Sequence, residues 1–231
     1  MVCPDPATTS REVIIATTEE LQKWASEQKC LRAVDALRKH AFTAEFFETA
    51  SGARDYILSH ASDAQSIGFG GSMTIAALNL QEPLREQGKT ILNHSAAGLT
   101  PEQKLEVMRA QLTSDLFLSG CNAITLNGEL INIDATGNRV AAMLFGPRRV
   151  IQVAGRNKLI DGSIEQAMLR VHQSATPPNA KRLSFNTPCC STGFCSDCNA
   201  PDRLCRVTTV IDRRPRLTDI HVILINEDLG F

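Results

Sequence analysis

The sequence predicts an α/β fold built on a mostly parallel sheet. Three observations carry this. Short apolar runs of strand character alternate with amphipathic stretches of about 10–15 residues, which is the mark of βαβ units. One of those runs, RRVIQVAG (148–155) between Pro147 and Gly155, reads as a strand covered on both faces. A chain of 231 residues that is 43% apolar is long enough for one large domain, or two small ones, with a hydrophobic core.

The elements follow in order. Residues 17–40 read as one or two helices. Thr17 or Thr18 can cap, Glu19 and Glu20 suit the positive end of the helix dipole, and Leu21, Trp24, Leu31, Val34 and Leu37 recur at helical spacing. That spacing predicts an apolar stripe turned to the core. AEFFETA (44–50) has strand character, and residues 51–62 read as a helix. QSIGF (65–69) is a short strand, GGSMTIAALNL (70–80) turns into a helix, and TILNH (90–94) is another strand. TPEQKLEVMRAQL (100–112) opens with Thr at a cap, Pro just inside and Gln103 three residues on, a capping-box start. DLFLSG (115–120), AITLNG (123–128) and ELINID (129–134) are strand-like, with Asn127-Gly128 as a hairpin signal. NRVAAMLFG (138–146) and SIEQAMLRVHQ (163–173) read as helices, and CRVTTVID (205–212) and DIHVILINEDL (219–229) as β-rich runs. The least regular stretch is 174–204. A structureless loop of about 30 residues is unusual inside a compact domain, so something must organise it. The expected division is an N-terminal helical segment, 1–40, and an α/β domain, 41–231, with a Cys-rich loop at 187–205.

Composition excludes several classes. With 24 basic against 25 acidic residues, the net charge of −1 leaves no electrostatic footprint for nucleic acid, and one Trp and one Tyr disfavour base-stacking modules. No apolar run approaches the roughly 18 residues of a membrane span. MVCPDPATTSREVII lacks the basic and apolar regions of a secretory signal, so a cytoplasmic chain is expected.

Eight cysteines are the informative number. Cys3, Cys30 and Cys121 are scattered, whereas Cys189, Cys190, Cys195, Cys198 and Cys205 crowd together. With no export signal, a metal or catalytic reading is better than a disulfide framework. Cys190-x4-Cys195-x2-Cys198 has the spacing of plant-type iron–sulfur loops, with Cys205 as a later fourth sulfur, and Cys189 can replace Cys190. Two thiolates two residues apart can turn inward on a tight loop and chelate one centre. Four sulfurs fit Zn²⁺ or an iron–sulfur cluster equally well. A redox pair Cys195-Ser-Asp-Cys198 is the lesser reading, and plain reduced thiols are the bland one.

The second motif is IGFGGSMT (67–74). Gly68, Gly70 and Gly71 let the backbone approach a ligand closely, and Ser72 and Thr74 offer hydroxyls at a helix start, a ready place for an anion. It is neither a P-loop nor a full dinucleotide fingerprint, and the bland reading is a tight strand-to-helix turn. The third is NGELINIDATGNR (127–139). Asn132 and Asp134 project to one face of a strand, and Gly137-Asn138-Arg139 opens a helix. A polar face on a buried sheet is costly unless used or satisfied, so this segment lines a pocket beside the Gly loop or forms a turn network. Among the histidines, His94, at a strand end, is the best candidate; His40, His60 and His172 read as surface residues, and His221 sits in a terminal strand. Glu129 is a weak candidate for a nucleophile or base. Arg203, Arg206, Arg213, Arg214 and Arg216 make the tail locally basic, which can steer an anionic ligand or be solvated surface, and solvated surface is the preferred reading.

At this point the blocks IGFGGSMT, GLTPEQKLEVMRAQL, DLFLSGCNAIT, NGELINIDATGNRVAAMLFGPRRVIQVAGRNK, TPCCSTGFCSDCNAPDRLCRV and HVILINEDLGF resemble the LUD-domain family of lactate utilisation proteins, in its Cys-loop branch. The resemblance runs from about Leu31 to the C-terminus. It implies a three-layer fold like that of the NagB/RpiA/CoA-transferase group, whose ligands approach Gly-rich strand-to-helix turns. The matching positions here are the Gly68–Ser72 turn and the Asn132–Asn138 segment. It selects Cys189, Cys195, Cys198 and Cys205 as the loop ligands and leaves Cys190 as an extra thiol. It further implies a role in oxidising L-lactate or a related 2-hydroxy acid, with iron–sulfur electron-transfer subunits as partners. Sheets of this group often pair into homodimers. The glutamate of the CoA-transferases has no convincing counterpart. Two rival expectations stand beside this one. One is an independent sugar-phosphate isomerase or CoA-transferase-like enzyme with a structural zinc. The other is a redox-sensing regulatory subunit.

Overall fold

Helix α1 (Thr18–Lys39) begins where its sequence caps it. The Glu20 N–H donates to the Thr17 hydroxyl at 3.2 Å and the Thr17 N–H donates to the Glu20 carboxylate at 2.6 Å, closing a capping box. The computed structural model describes residues 17–231. The first sixteen positions of the expected N-terminal segment, Cys3 among them, lie outside the described residues.

Only the second half of α1 carries the expected stripe. Cys30, Ala33, Val34 and Leu37 are buried, but Leu21 and Trp24 are more than half exposed and Leu31 is 37% exposed. The physical reason is what lies opposite. Lys23 pairs with Glu48 at 2.6 Å and Ser26 Oγ lies 2.6 Å from Asn226 Oδ1, so the first half of the helix meets polar groups rather than the core.

The main sheet has six parallel strands in the order β1-β10-β7-β4-β2-β3. They are β1 (Thr43–Phe47), β2 (Ser66–Phe69), β3 (Thr90–Asn93), β4 (Leu116–Gly120), β7 (Arg149–Gly155) and β10 (Asp219–Ile225). Alternate residues of the central strands feed opposite layers. On one face Val150, Val222, Leu224 and Phe117 pack with α1 and with Val140 and Met143 of α6 (Asn138–Leu144). On the other, Ile151, Val153, Ile223 and Leu118 pack with Ile57 of α2 (Ala50–His60), Ile75 of α3 (Met73–Ala77) and Leu84 of α4 (Gln81–Glu86). This is the three-layer α/β fold that was expected, with the parallel sheet buried on both sides. The expected helix over 70–80 is shorter, because Asn79 adopts φ +48° and α4 starts a new helix.

A second sheet, in the order β8-β5-β6-β9, joins β5 (Ala123–Thr125), β6 (Leu130–Asp134), β8 (Leu159–Ile160) and β9 (Val207–Ile211). The Asn127-Gly128 turn links β5 and β6 antiparallel, with Gly128 at φ +97°. Its backbone lies so close to α1 that a Cβ on Gly128 would stand 2.9 Å from the Ala36 carbonyl carbon.

Helix α5 (Pro101–Gln111) has the expected capping box between Thr100 and Gln103. Much of the stretch expected to be irregular is helical. Helix α7 (Ile164–Arg170) passes through a π-turn at 171–175 into α8 (Thr176–Arg182), and α9 (Pro188–Thr192) follows. Pro177 and Pro178 lie in the first turn of α8, directly after the π-turn, and neither has an N–H to give to the helical ladder there.

Candidate functional site

The strand order turns back on itself at β2. From β2 the chain goes to β3 on one side and then to β4 on the other. In open parallel sheets, ligands enter the crevice outside the carboxyl ends of the strands at such a point. A cavity of about 600 Å³ lies there. The loops after four parallel strands reach it: residues 71–74 after β2, His94 after β3, residues 120–122 after β4, and Lys158 after β7. Residues 133–136 and Asn138 and Arg139, at the end of β6 and the start of α6, form a further wall.

The structure divides the Gly-loop residues. Gly71, Ser72 and Thr74 line the cavity, whereas Gly68 and Gly70 do not. A Cβ on Gly68 would stand 2.8 Å from the Phe117 ring, and one on Gly70 2.8 Å from Ser119 Oγ, so these two glycines let β2 lie close to β4. The two hydroxyls have internal partners. Ser72 Oγ accepts from the Ile75 N–H at 3.3 Å, while Thr74 Oγ1 donates to the Leu229 carbonyl at 3.1 Å and accepts from Lys158 Nζ at 2.6 Å. Helix α3 spans five residues, so the charge that faces a ligand comes from side chains rather than from a helix end.

The second predicted segment is also divided. Asp134 and Asn138 line the cavity; Asn132 and Gly137 do not. Asn132, fully buried, accepts from Arg139 Nη1 at 3.1 Å and from the Asn122 N–H at 3.2 Å. Arg139 also donates to the carbonyls of Gly120 (3.1 Å) and Ile133 (2.9 Å) and to Asn122 Oδ1 (2.9 Å). Its Nε stands 3.5 Å from Asp134 Oδ2, which is buried and accepts no hydrogen bond. Gly137 takes φ +89° to turn the chain into α6.

Sequence reasoning missed three side chains. Lys158 is 4% exposed, and burial pushes its ammonium down to about 8. Its one available signal was its place just past the end of a buried strand. Gln111, 1% exposed at the end of α5, puts Nε2 2.9 Å from both the Phe69 and Leu92 carbonyls and 3.1 Å from His94 Nδ1. It thereby ties the ends of β2 and β3 and orients His94, whose own charged form burial disfavours. The third is Arg139, the organiser of the 132–139 wall. Four basic side chains, Lys104, Arg139, Lys158 and Arg182, line the cavity against one acidic side chain, Asp134. The whole chain carries a net charge of −1, so this concentration of positive charge is local.

Glu129 is placed elsewhere. It sits at the β5–β6 turn, where its carboxylate accepts from the Thr125 hydroxyl, and it does not line the cavity.

The Cys loop forms a separate small cavity of about 20 Å³. Cys189, Cys195, Cys198 and Cys205 all line it, and Cys190 does not. His172, read as a surface residue, lines it too, with Nδ1 3.9 Å from Cys195 Sγ. Arg203, read as solvated, organises the loop instead. It donates to the Cys205 carbonyl at 2.8 Å, to the Cys198 carbonyl, and to Asp197 at 2.8 Å. Arg214, also from that tail, donates to the carbonyls of Ala41 (2.9 Å) and Thr218 (3.1 Å). The seven cysteines among the described residues form no disulfide. No three His, Cys, Asp or Glu side chains among the described residues converge as metal ligands do. The donor set nonetheless fits a thiophilic centre, with four sulfurs on one cavity and an imidazole at its wall. Thr176, Leu204 and Cys205 line both cavities, so the Cys loop and the larger cavity share a wall. No helix among the described residues is long and apolar enough to cross a membrane.

The family model described as the LUD domain matches residues 30–225. Among solved structures, a DUF162 family protein from Deinococcus radiodurans superposes with a TM-score of 0.52 at 15% identity, over 87% of this chain and 98% of that one. Ribose 5-phosphate isomerase from Plasmodium falciparum gives a TM-score of 0.30 at 17% identity, over 50% of this chain and 55% of that one. eIF2B beta from Chaetomium thermophilum gives 0.32 at 16%, over 64% and 47%. No curated protein matches the chain.

Proposed function

This chain belongs to the LUD-domain family, and on that footing we propose that it binds a small anionic metabolite in the cavity at the β2–β4 crossover and acts with electron-transfer partners in oxidising L-lactate or a related 2-hydroxy acid. The observation that carries the binding reading is the charge imbalance of the cavity, four basic side chains against Asp134. Anions gain most from such groups where walls exclude water. Lys104 and Arg182 draw the anion in, Lys158 meets it, and Arg139 holds the 132–139 wall in place.

Cys189, Cys195, Cys198 and Cys205 are the residues that would hold an iron–sulfur cluster or Zn²⁺ in the adjoining cavity. When bound, a cluster supplies one-electron transfer and a zinc supplies a structural staple. Iron–sulfur protein subunits are the partners this role needs; the expected setting is the cytoplasm, with pairing into a homodimer.

A second reading is favoured by Lys158 and His94 standing in the same cavity. Lys158 is buried and His94 half-buried, and in each burial disfavours the charged form, which suits a group that gives and takes protons. That reading is an independent isomerase or CoA-transferase-like enzyme with a structural zinc.

Two measurements separate the readings. Metal and acid-labile sulfide are determined on protein purified without oxygen, and thermal stability is followed with L-lactate, inorganic phosphate, phosphosugars and acyl-CoA. A ligand at 100 times its dissociation constant adds about 2.7 kcal/mol. Iron with sulfide and a shift with lactate support the first reading. Zinc alone with a shift for a phosphosugar or acyl-CoA supports the second. No shift with any anion overturns the cavity's role.

A further inference from the structure

We propose that Lys158 is a carbonyl-trapping nucleophile, whose Nζ condenses with the aldehyde or ketone of a small anionic oxo compound held in the β2–β4 cavity to form an imine. The proposal rests on the reading of this cavity as an anion site.

The first support is what Lys158 lacks. Buried lysines are usually paired with a carboxylate or held by several acceptors. Lys158, 4% exposed, has one side-chain hydrogen-bond partner among the described residues, the Thr74 hydroxyl at 2.6 Å. Thr74 commits its own proton to the Leu229 carbonyl, so it accepts from Nζ and fixes the amine's direction. Among the described residues, the groups whose charges act on the amine are Cys121, Arg139 and Arg170.

The second support is the neighbourhood. Lys158 lines a cavity large enough for a small metabolite, in which Lys104 and Arg182 can take the anionic group. His94 lines the same cavity and, kept neutral by burial, can relay protons. With the ammonium pushed down to about 8, about a tenth of Lys158 is the free amine at pH 7, which is the nucleophilic form.

The step balances without an oxidant. The amine lone pair attacks the carbonyl carbon as the C=O π-pair moves to oxygen. Proton transfer from nitrogen to oxygen gives a carbinolamine. The C–O bond then breaks, and water leaves with the second amine proton, so Lys–NH₂ and O=C give Lys–N=C and H₂O.

The test uses the full chain with glyoxylate as the small anionic aldehyde and cyanoborohydride to trap the imine, read by peptide mass spectrometry. Lys158 should be labelled at glyoxylate concentrations at least about tenfold below those that label Lys29 and Lys181, which are exposed. Its labelling should rise with a midpoint near pH 8 and be slowed by inorganic phosphate. Lys158→Arg, which keeps the charge, should lose the preferential adduct, with its cooperative thermal melt showing that it is folded. Labelling of Lys158 no faster than Lys29 overturns the inference. If phosphate still stabilises the protein in that case, the anion reading survives alone; if it does not, both readings fall.

Discussion

Arg139 Nη1 donates to Asn132 Oδ1 at 3.1 Å, and with its other donors reaches Gly120 O, Asn122 Oδ1 and Ile133 O. One guanidinium thus fastens the end of β4, the end of β6 and the start of α6 to each other, and so shapes the wall of the cavity. Arg139→Ala leaves these acceptors without a donor in a buried place, which costs about 3–5 kcal/mol. Arg139→Lys should recover little, because an ammonium lacks the planar fork that spans four acceptors. Urea denaturation of the three proteins measures this; equal midpoints would refute the fastening role.

Lys158→Met should weaken anion binding at least about tenfold and leave the fold intact or firmer. The sign of the pH effect follows from its low value. Lys158 titrates near 8 when folded and near 10.5 when unfolded, so the unfolded chain holds more protons between those values. The buried charge therefore opposes folding below about pH 8, by on the order of 3 kcal/mol. The penalty fades as pH rises from 8 towards 10.5. Wild type should gain stability over that window relative to Lys158→Met, measured by denaturant melts at pH 7.5 and pH 10.

Gly70→Ala should destabilise by about 1–3 kcal/mol, because its Cβ would meet Ser119 Oγ at 2.8 Å and the Phe117 ring at 3.0 Å. Gly71→Ala should be near neutral for stability, since its Cβ finds only His94 Nε2 at 3.7 Å. It should still impair ligand binding, because Gly71 lines the cavity. Thermal melts with and without phosphate read both effects; a stable Gly70→Ala would show that β2 and β4 have room to part.

Cys205→Ser should reduce bound metal, whereas Cys190→Ser should leave it unchanged, because Cys205 lines the small cavity and Cys190 does not. Elemental analysis of protein purified without oxygen decides this. Loss of metal from Cys190→Ser alone would instead select the Cys190-x4-Cys195 set.

Much of this architecture is legible in local sequence. The Thr17–Glu20 and Thr100–Gln103 capping boxes and the Asn127-Gly128 hairpin each act within about four residues, and each appears where its sequence places it. What misled was also local. Leu21 and Trp24 keep helical spacing with Leu37, yet whether a face is covered depends on its distant partner, here Glu48 and Asn226. Arg203 sits in a run of charges that reads as solvated, until the Cys loop folds its carbonyls around it.

The sequence by itself determined most of the strands and helices outside 174–204, that the sheet is mostly parallel, and the family, because caps, periodicity and motif blocks are written in neighbouring residues. Tertiary structure alone decided which polar groups face the cavity. Thr74 and Lys158 are 84 positions apart and meet only because β2, β4 and β7 pair side by side, bringing their carboxyl ends to one crevice. The charge of Lys158 is likewise set there, since burial rather than residue type moves it to about 8.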